Sequence, residues 1–164
     1  FILGLLTLLA YIYQLQKRGT RPLLQLGGIG EHIDDGTLAQ AKLSQYRVLY
    51  LANSEVTDEG LSRVHDLPHL ETLNLWDTEV TDKGVAGLAG LAGLRSLILM
   101  DTPITDASLP HLEKMKSLRD LNLRGTRISL EGARRLQAAL PGCAVQHHMF
   151  VDPVAEPPAP GSDT

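Results

Sequence analysis

Apolar residues return along this chain at a fixed step of 24. Leu49, Leu73, Leu97 and Leu121 keep one register, Leu51, Leu75, Leu99 and Leu123 a second, and Val56, Val80, Ile104 and Ile128 a third. Thr57, Thr81, Thr105 and Ser129 follow the same step. A fixed period of roughly 20–30 residues means stacked supersecondary units, not one closed globule. The clearest copy is residues 67–91, LPHLETLNLWDTEVTDKGVAGLAGL. Within it Leu73 and Leu75 alternate with polar or exposed positions, the period-2 signal of a short strand. A turn follows, and Thr81-Asp82 then opens a helix, as Thr57-Asp58 and Thr105-Asp106 do in the flanking copies. A hydroxyl or carboxylate there can accept orphan backbone N–H groups, and the acid complements the helix dipole. Leu61, Val64 and Leu67 form the i, i+3 apolar face of one helix, and Val85, Leu88 and Leu91 that of the next. Strand, helix and parallel strand in succession imply a right-handed crossover. No single unit can bury its own apolar face, so neighbours must stack.

The ends of the array are less regular. Residues 22–42 read as a degenerate first repeat. Leu24 and Leu26 alternate, and Ile33-Asp34-Asp35-Gly36-Thr37-Leu38 echoes Val56-Thr57-Asp58-Glu59-Gly60-Leu61 with a shift of one residue. Terminal repeats are expected to be atypical because they cap the stack. The fourth repeat ends at Leu136 and Leu140, and Pro141-Gly142 stops its helix. Cys143 to His148 then falls in register as a closing strand, with Val145 in the column of Leu121 and His147 in that of Leu123. A His in a core ladder suits an edge that no further repeat covers. From 149 to 164 the chain is Pro-rich and of low complexity, the composition of a disordered tail.

The pattern L-x-x-L-x-L-x-x-T-x-V-T-D-x-G-L-x-x-L resembles a leucine-rich repeat, nearest to the ribonuclease-inhibitor-like and cysteine-containing subclasses. The residue after L-x-L-x-x, usually Asn or Cys in that family, is here Ser54, Thr78, Thr102 or Thr126. A hydroxyl can still bond the turn backbone. The resemblance implies an α/β leucine-rich-repeat solenoid: a right-handed arc with a parallel concave sheet and convex helices, residues 43–148 forming the repeats. In layout, with an apolar N-terminus, an LGG segment and a closing LPGC, the chain looks like bacterial, planctomycete-type membrane-anchored repeat proteins.

Residues 1–16 add a second element. FILGLLTLLAYIYQL is almost wholly apolar and is followed by Lys17, Arg18 and Arg21. Fifteen helical residues span about 22 Å, short of the roughly 30 Å hydrocarbon core. The chain starts at Phe, and a few upstream residues would complete a span. Tyr11 and Tyr13 suit the interfacial belt. The expectation is a single-pass N-terminal anchor, with residues 17–42 forming linker and cap. A cleaved signal lacks its A-x-A site. The basic cluster favours a cytoplasmic C-terminal side, whereas the resemblance places the repeats outside the cytoplasm.

Composition narrows the chemistry. Aromatic residues are only 4%, so the core must be built from aliphatic ladders. A net charge of −4 with no basic patch argues against nucleic-acid binding. Cys143 is the single cysteine, so no internal disulfide can form. G-G-I-G at 27–30 lacks the spacing of a phosphate loop. The six His are scattered over different repeat positions: His65 and His69 do not share a clear helical face, and His147 and His148 point to opposite faces of a strand. No Ser–His–Asp or Cys–His set can be built on one face, and no small-molecule cofactor is expected.

Instead, the register aligns outward-facing columns on the sheet: Val48, Thr72, Ser96, Asp120; Tyr50, Asn74, Ile98, Asn122; and Ala52, Trp76, Met100, Arg124. With strands about 4.8 Å apart, Tyr50, Trp76, Ile98 and Met100 should touch as one exposed cluster. Trp, Tyr and Arg lead binding hot spots, so Tyr50, Trp76, Ile98, Met100 and Arg124 form the expected contact surface, with Asn74, Asp77 and Asp101 on its rim. Asp77 and Asp101 share a column with Asn53. Two such carboxylates repel unless a cation or base intervenes; Arg124 and Lys83 are candidate neighbours, and solvated turn acids are the simpler reading. The function expected is a non-enzymatic module that binds another protein and is tethered to a membrane by residues 1–16. The alternatives are an enzyme inhibitor, a ubiquitin-ligase recognition arm or a structural envelope protein.

Overall fold

The computed structural model describes the backbone of Gln25–Leu26 and, in full, residues 33–148. The apolar segment 1–16, the glycine cluster at 27–30 and the tail 149–164 lie outside the described residues. Among the described residues no helix is long and apolar enough to cross a membrane.

One parallel sheet of six strands runs in chain order. Its strands are β1 (Gln25–Leu26), β2 (Val48–Tyr50), β3 (Thr72–Asn74), β4 (Ser96–Ile98), β5 (Asp120–Asn122) and β6 (Ala144–Gln146). Between them lie α1 (Asp35–Gln40), α2 (Asp58–Leu61), α3 (Asp82–Leu88), α4 (Leu109–Leu112) and α5 (Leu130–Ala139). A 3-10 turn at Asp106–Ser108 leads directly into α4. The architecture is an α/β arc of parallel strands alternating with short helices. From β2 onward every pairing keeps the 24-residue step, so Leu49, Leu73, Leu97, Leu121 and Val145 stack in one column. The first pairing, Leu26 with Leu49, is one residue shorter. That is the shift predicted between Ile33–Leu38 and Val56–Leu61.

The core is the set of predicted ladders. Leu49, Leu73, Leu97 and Leu121, their partners Leu51, Leu75, Leu99 and Leu123, and the Val56–Ile128 column are all buried. So are Val85 on α3 and Val64, which lies in the turn past α2 because that helix ends at Leu61 and does not run on to Leu67 as expected. Helices of four to ten residues are far too short to persist alone, so this packing is what keeps them formed. Where the strand ends, the hydroxyls of Ser54, Thr78, Thr102 and Thr126 donate to the carbonyls of Leu51, Leu75, Leu99 and Leu123 at 2.5–2.8 Å. The hydroxyl thus performs the turn bond expected of it.

The Thr-Asp pair does more than predicted. Thr57, Thr81 and Thr105 each accept the N–H two residues on with the side-chain oxygen, and Ser129 accepts that of Gly132. The acid lies in the first turn of its own helix, as expected, and its carboxylate also reaches to the next repeat. Asp58 accepts Thr81 N–H at 2.8 Å and Thr81 Oγ1 at 2.6 Å. Asp35 does the same to Thr57 and Asp82 to Thr105, and Asp106 accepts Ser129 N–H at 2.8 Å. A hydroxyl can donate to the previous carboxylate while accepting from its own helix, as an apolar side chain of the same size cannot. The glycine of the motif makes room for that carboxylate. A Cβ on Gly84 would lie 2.4 Å from Asp58 Oδ1, and one on Gly60 2.1 Å from Asp35 Oδ1. In the third repeat Ser108 replaces this glycine and its buried hydroxyl donates to Asp82.

His147 is buried, as its place in the core ladder implies, but it is not set apart from His148 as expected. It lies beyond β6 and is buried at 1% exposure, with Nε2 2.9 Å from the Ile128 carbonyl. Its ring packs against that of His148, centroids 4.2 Å apart, so the two do not point to opposite faces of a strand.

Two outcomes follow from the carboxylate bonds. Gly→Ala inside a helix ordinarily stabilises by about 1 kcal/mol. Gly84→Ala should instead destabilise by about 1–3 kcal/mol through overpacking against Asp58. In an Asp58→Ala background much of that cost should vanish, as a double-mutant cycle of urea melts reads directly. Additive losses would mean that the carboxylate is not what Gly84 accommodates. The second concerns pH. Burial raises the affinity of Asp82 for a proton, but bonds from Ser108 and Thr105, with His111 nearby, outweigh it and hold the group below its ordinary 3.8. A folded-state value below the unfolded one gives stability that is complete above the unfolded value and is lost as pH falls through the folded one. Between about pH 4 and pH 2 the parent should therefore lose more stability than Asp82→Asn. Equal losses would show that the carboxylate form carries no advantage.

Candidate protein-binding face

The outward columns read from the sequence are physical columns. Val48, Thr72, Ser96 and Asp120 pair in register, as do Tyr50, Asn74, Ile98 and Asn122. Past the strand ends the ladder continues through Asn53 N–H to the Trp76 carbonyl (2.8 Å), Asp77 N–H to that of Met100 (3.0 Å) and Asp101 N–H to that of Arg124 (2.9 Å). This sets Trp76, Met100 and Arg124 side by side.

Exposure is less even than predicted. Tyr50 and Trp76 are the large exposed hydrophobic residues among those described, each at 38%, whereas Ile98 and Met100 are half-buried. The expected single exposed cluster is thus uneven, with two exposed aromatic side chains and two partly covered aliphatic ones. Arg124 is exposed and Asn74 half-buried. Asn74 Oδ1 accepts Trp76 N–H at 3.0 Å, and Asn122 Oδ1 accepts Arg124 N–H at 3.1 Å. These amides hold the chain where the strand gives way to the turn.

The Asn53–Asp77–Asp101 column has a backbone cause. Their φ angles are 54°, 52° and 54°, and Gly125 follows at 73°. Asn and Asp are the side-chain-bearing residues that best tolerate this left-handed region, so a recurring turn geometry accounts for the acids without a cation. Gly125 is required twice over, since a Cβ would also fall 1.8 Å from Asp101 Oδ1. The other oxygen, Asp101 Oδ2, accepts the indole Nε1–H of Trp76 at 3.0 Å. Asp101 therefore satisfies the polar edge of Trp76, whose side chain stays exposed. Both acids are exposed. Lys83, a suggested neighbour, lies in the first turn of α3, its N–H bonded to Thr81. The Trp76–Asp101 bond joins residues 25 apart, and a 24-residue register alone does not signal it.

Other reactive groups are wired for structure. Asp82, Ser108 and His111 come together, a grouping that the sequence did not suggest, but the Ser108 hydroxyl donates to the carboxylate and is fully buried. That burial keeps the hydroxyl away from solvent, and its bond serves the link between repeats. Burial first, then Asp120, pushes the Cys143 thiol up to about 11, against a lesser opposing pull from Arg119. This suits an inert packing residue. His65 bonds the Ser62 carbonyl through Nδ1 and Asp66 through Nε2. Among the described residues no group of three His, Cys, Asp or Glu is placed to hold a metal ion.

The periodic core, parallel sheet and hydroxyl turns are those of a leucine-rich-repeat architecture. The family described as Leucine Rich repeat matches residues 66–89 and 114–136. Among solved structures, the chain is similar to an internalin C2 from Listeria monocytogenes, with 25% identity and a TM-score of 0.58 over 76% of this chain and 50% of that one. The chain thus spans about half the length of that internalin. A second internalin of the same organism superposes more loosely, at 18% identity and TM-score 0.44, over 66% of this chain and 36% of that one. The sequence matches no curated protein.

If Asp101 sets the indole, Asp101→Ala should shift the emission of Trp76 to the red and lower its anisotropy, with an unchanged far-ultraviolet spectrum. Trp76 is the only tryptophan, so the signal is unambiguous. Emission identical to the parent's would mean that the bond does not hold in solution.

Proposed function

We propose that this chain is a non-catalytic protein-binding module that presents the outward face of its sheet to another protein. The observation that carries the reading is that Tyr50 and Trp76, in adjacent repeats on the outward side of the sheet, are the large exposed hydrophobic residues among those described. Isolated exposed apolar residues are ordinary, but an aromatic pair with a polar rim is the composition of a hot spot. Ile98, Met100 and Arg124 complete the contact surface, with Asn74, Asp77 and Asp101 at its edge. Stacked repeats hold the strands rigidly, so binding orders few additional side chains. The likeness to an internalin repeat domain supports a binding role through fold alone.

The finer reading adds a ribonuclease-inhibitor-like or cysteine-containing-like repeat subclass and a tether through residues 1–16, in the manner of bacterial membrane-anchored repeat proteins. Its support is the apolar run followed by Lys17, Arg18 and Arg21. Placement of the repeats outside the cytoplasm goes with that reading.

Crosslinking of the full chain in host membranes tests the surface, with the Tyr50→Ala, Trp76→Ala double variant beside the parent. A defined partner captured by the parent should be reduced tenfold or more by the variant. Equal capture would move the binding site to the helices or loops, and capture of nothing by either would favour a structural role. Recovery of the chain in the soluble fraction would separately remove the tether.

A further inference from the structure

Each interior strand of the sheet gives its outer backbone groups to the next repeat. The Glu71 carbonyl accepts Arg95 N–H at 2.8 Å, the Arg95 carbonyl accepts Arg119 N–H at 2.7 Å, and the Arg119 carbonyl accepts Ala144 N–H at 2.7 Å. Cys143 stands 24 residues after Arg119, at the start of β6, the last described strand. There the donor is a side chain. Gln137 on α5 donates through Nε2 to the Cys143 carbonyl at 2.9 Å, and its Oε1 accepts Val145 N–H at 3.3 Å. A primary amide carries the same donor and acceptor as a peptide unit. It therefore occupies, with one side chain, two outer-edge positions that a further strand would pair.

A second group behaves alike. The Ile33 and Ile104 carbonyls accept backbone N–H groups of the following repeat, from Glu55 at 3.1 Å and Arg127 at 2.9 Å. At Ile128, in the same column, the donor is the buried ring of His147. The forward-reaching acid also stops here, since the position of Asp58, Asp82 and Asp106 is taken by Leu130.

We propose that Gln137 is a terminator of the array, its amide standing in for the backbone of a further repeat and closing the outer edge of β6 to strand pairing with a second copy of this chain. His147 closes the neighbouring position in the same way. An open strand edge is a template for another chain. The repeat geometry makes that template unusually regular, because every earlier strand already accepts a parallel neighbour. The inference is independent of what the sheet face binds.

The test uses the full chain, with Gln137→Ala and Gln137→Glu beside the parent, read by amide hydrogen exchange at Val145 and by sedimentation velocity over a range of concentrations. Gln137→Ala should keep the far-ultraviolet spectrum, exchange Val145 at least tenfold faster, and show larger species as concentration rises. Gln137→Glu retains an acceptor for Val145 and places a charge on the edge, so it should remain as unassociated as the parent. Unchanged exchange at Val145 in Gln137→Ala would overturn the proposal. So would faster exchange without association, or a Gln137→Glu chain that associates as readily as Gln137→Ala.

Discussion

A carboxylate that leaves its own helix to bond the cap of the next one is the interaction on which this arc depends. Leucine ladders supply the larger share of burial, but they are non-directional and tolerate sliding. The Asp-to-Thr bonds are charge-assisted and specific in geometry. They recur from Asp35 to Thr57, Asp58 to Thr81, Asp82 to Thr105 and Asp106 to Ser129. Each fixes where one helix begins relative to the helix before it. Helices of four residues have almost no stability of their own, so their starting points must be imposed from outside.

The same economy shapes the sheet side. Three-residue strands leave little room for error at their ends, and hydroxyls at 54, 78, 102 and 126 close each turn onto the preceding leucine carbonyl. The left-handed residue just before each hydroxyl admits Asn, Asp or Gly with little strain. Its side chain is then free to act, and at Asp101 it holds the indole of Trp76. A backbone requirement and a surface feature thus share one residue. That sharing ties the presented aromatic ring to the rigidity of the repeat.

The motif V-T-D-x-G can be understood position by position in these terms. The valine fills the core, the threonine caps its helix, the aspartate reaches forward and the glycine yields space to the aspartate behind it. Where the glycine is lost, at Ser108, a hydroxyl compensates by bonding the carboxylate it would otherwise crowd. Where the aspartate is lost, at Leu130, the forward bond ends and side chains of Gln137 and His147 take over the outward backbone groups.

The repeat step, the buried ladders, the one-residue shift of the first repeat and the alignment of the outward columns were legible in the amino-acid sequence alone. They follow from side-chain periodicity, which is local and survives translation along the chain. The apolar character of Ile98 and Met100 was equally legible, but their partial burial was not, because cover depends on neighbours 24 residues away. The reach of Asp58 into the next repeat, the Asp101 bond to Trp76 and the packing of His147 against His148 belong to the tertiary structure. In each case a polar side chain had several partners within its own segment, and only stacking decided which one it met.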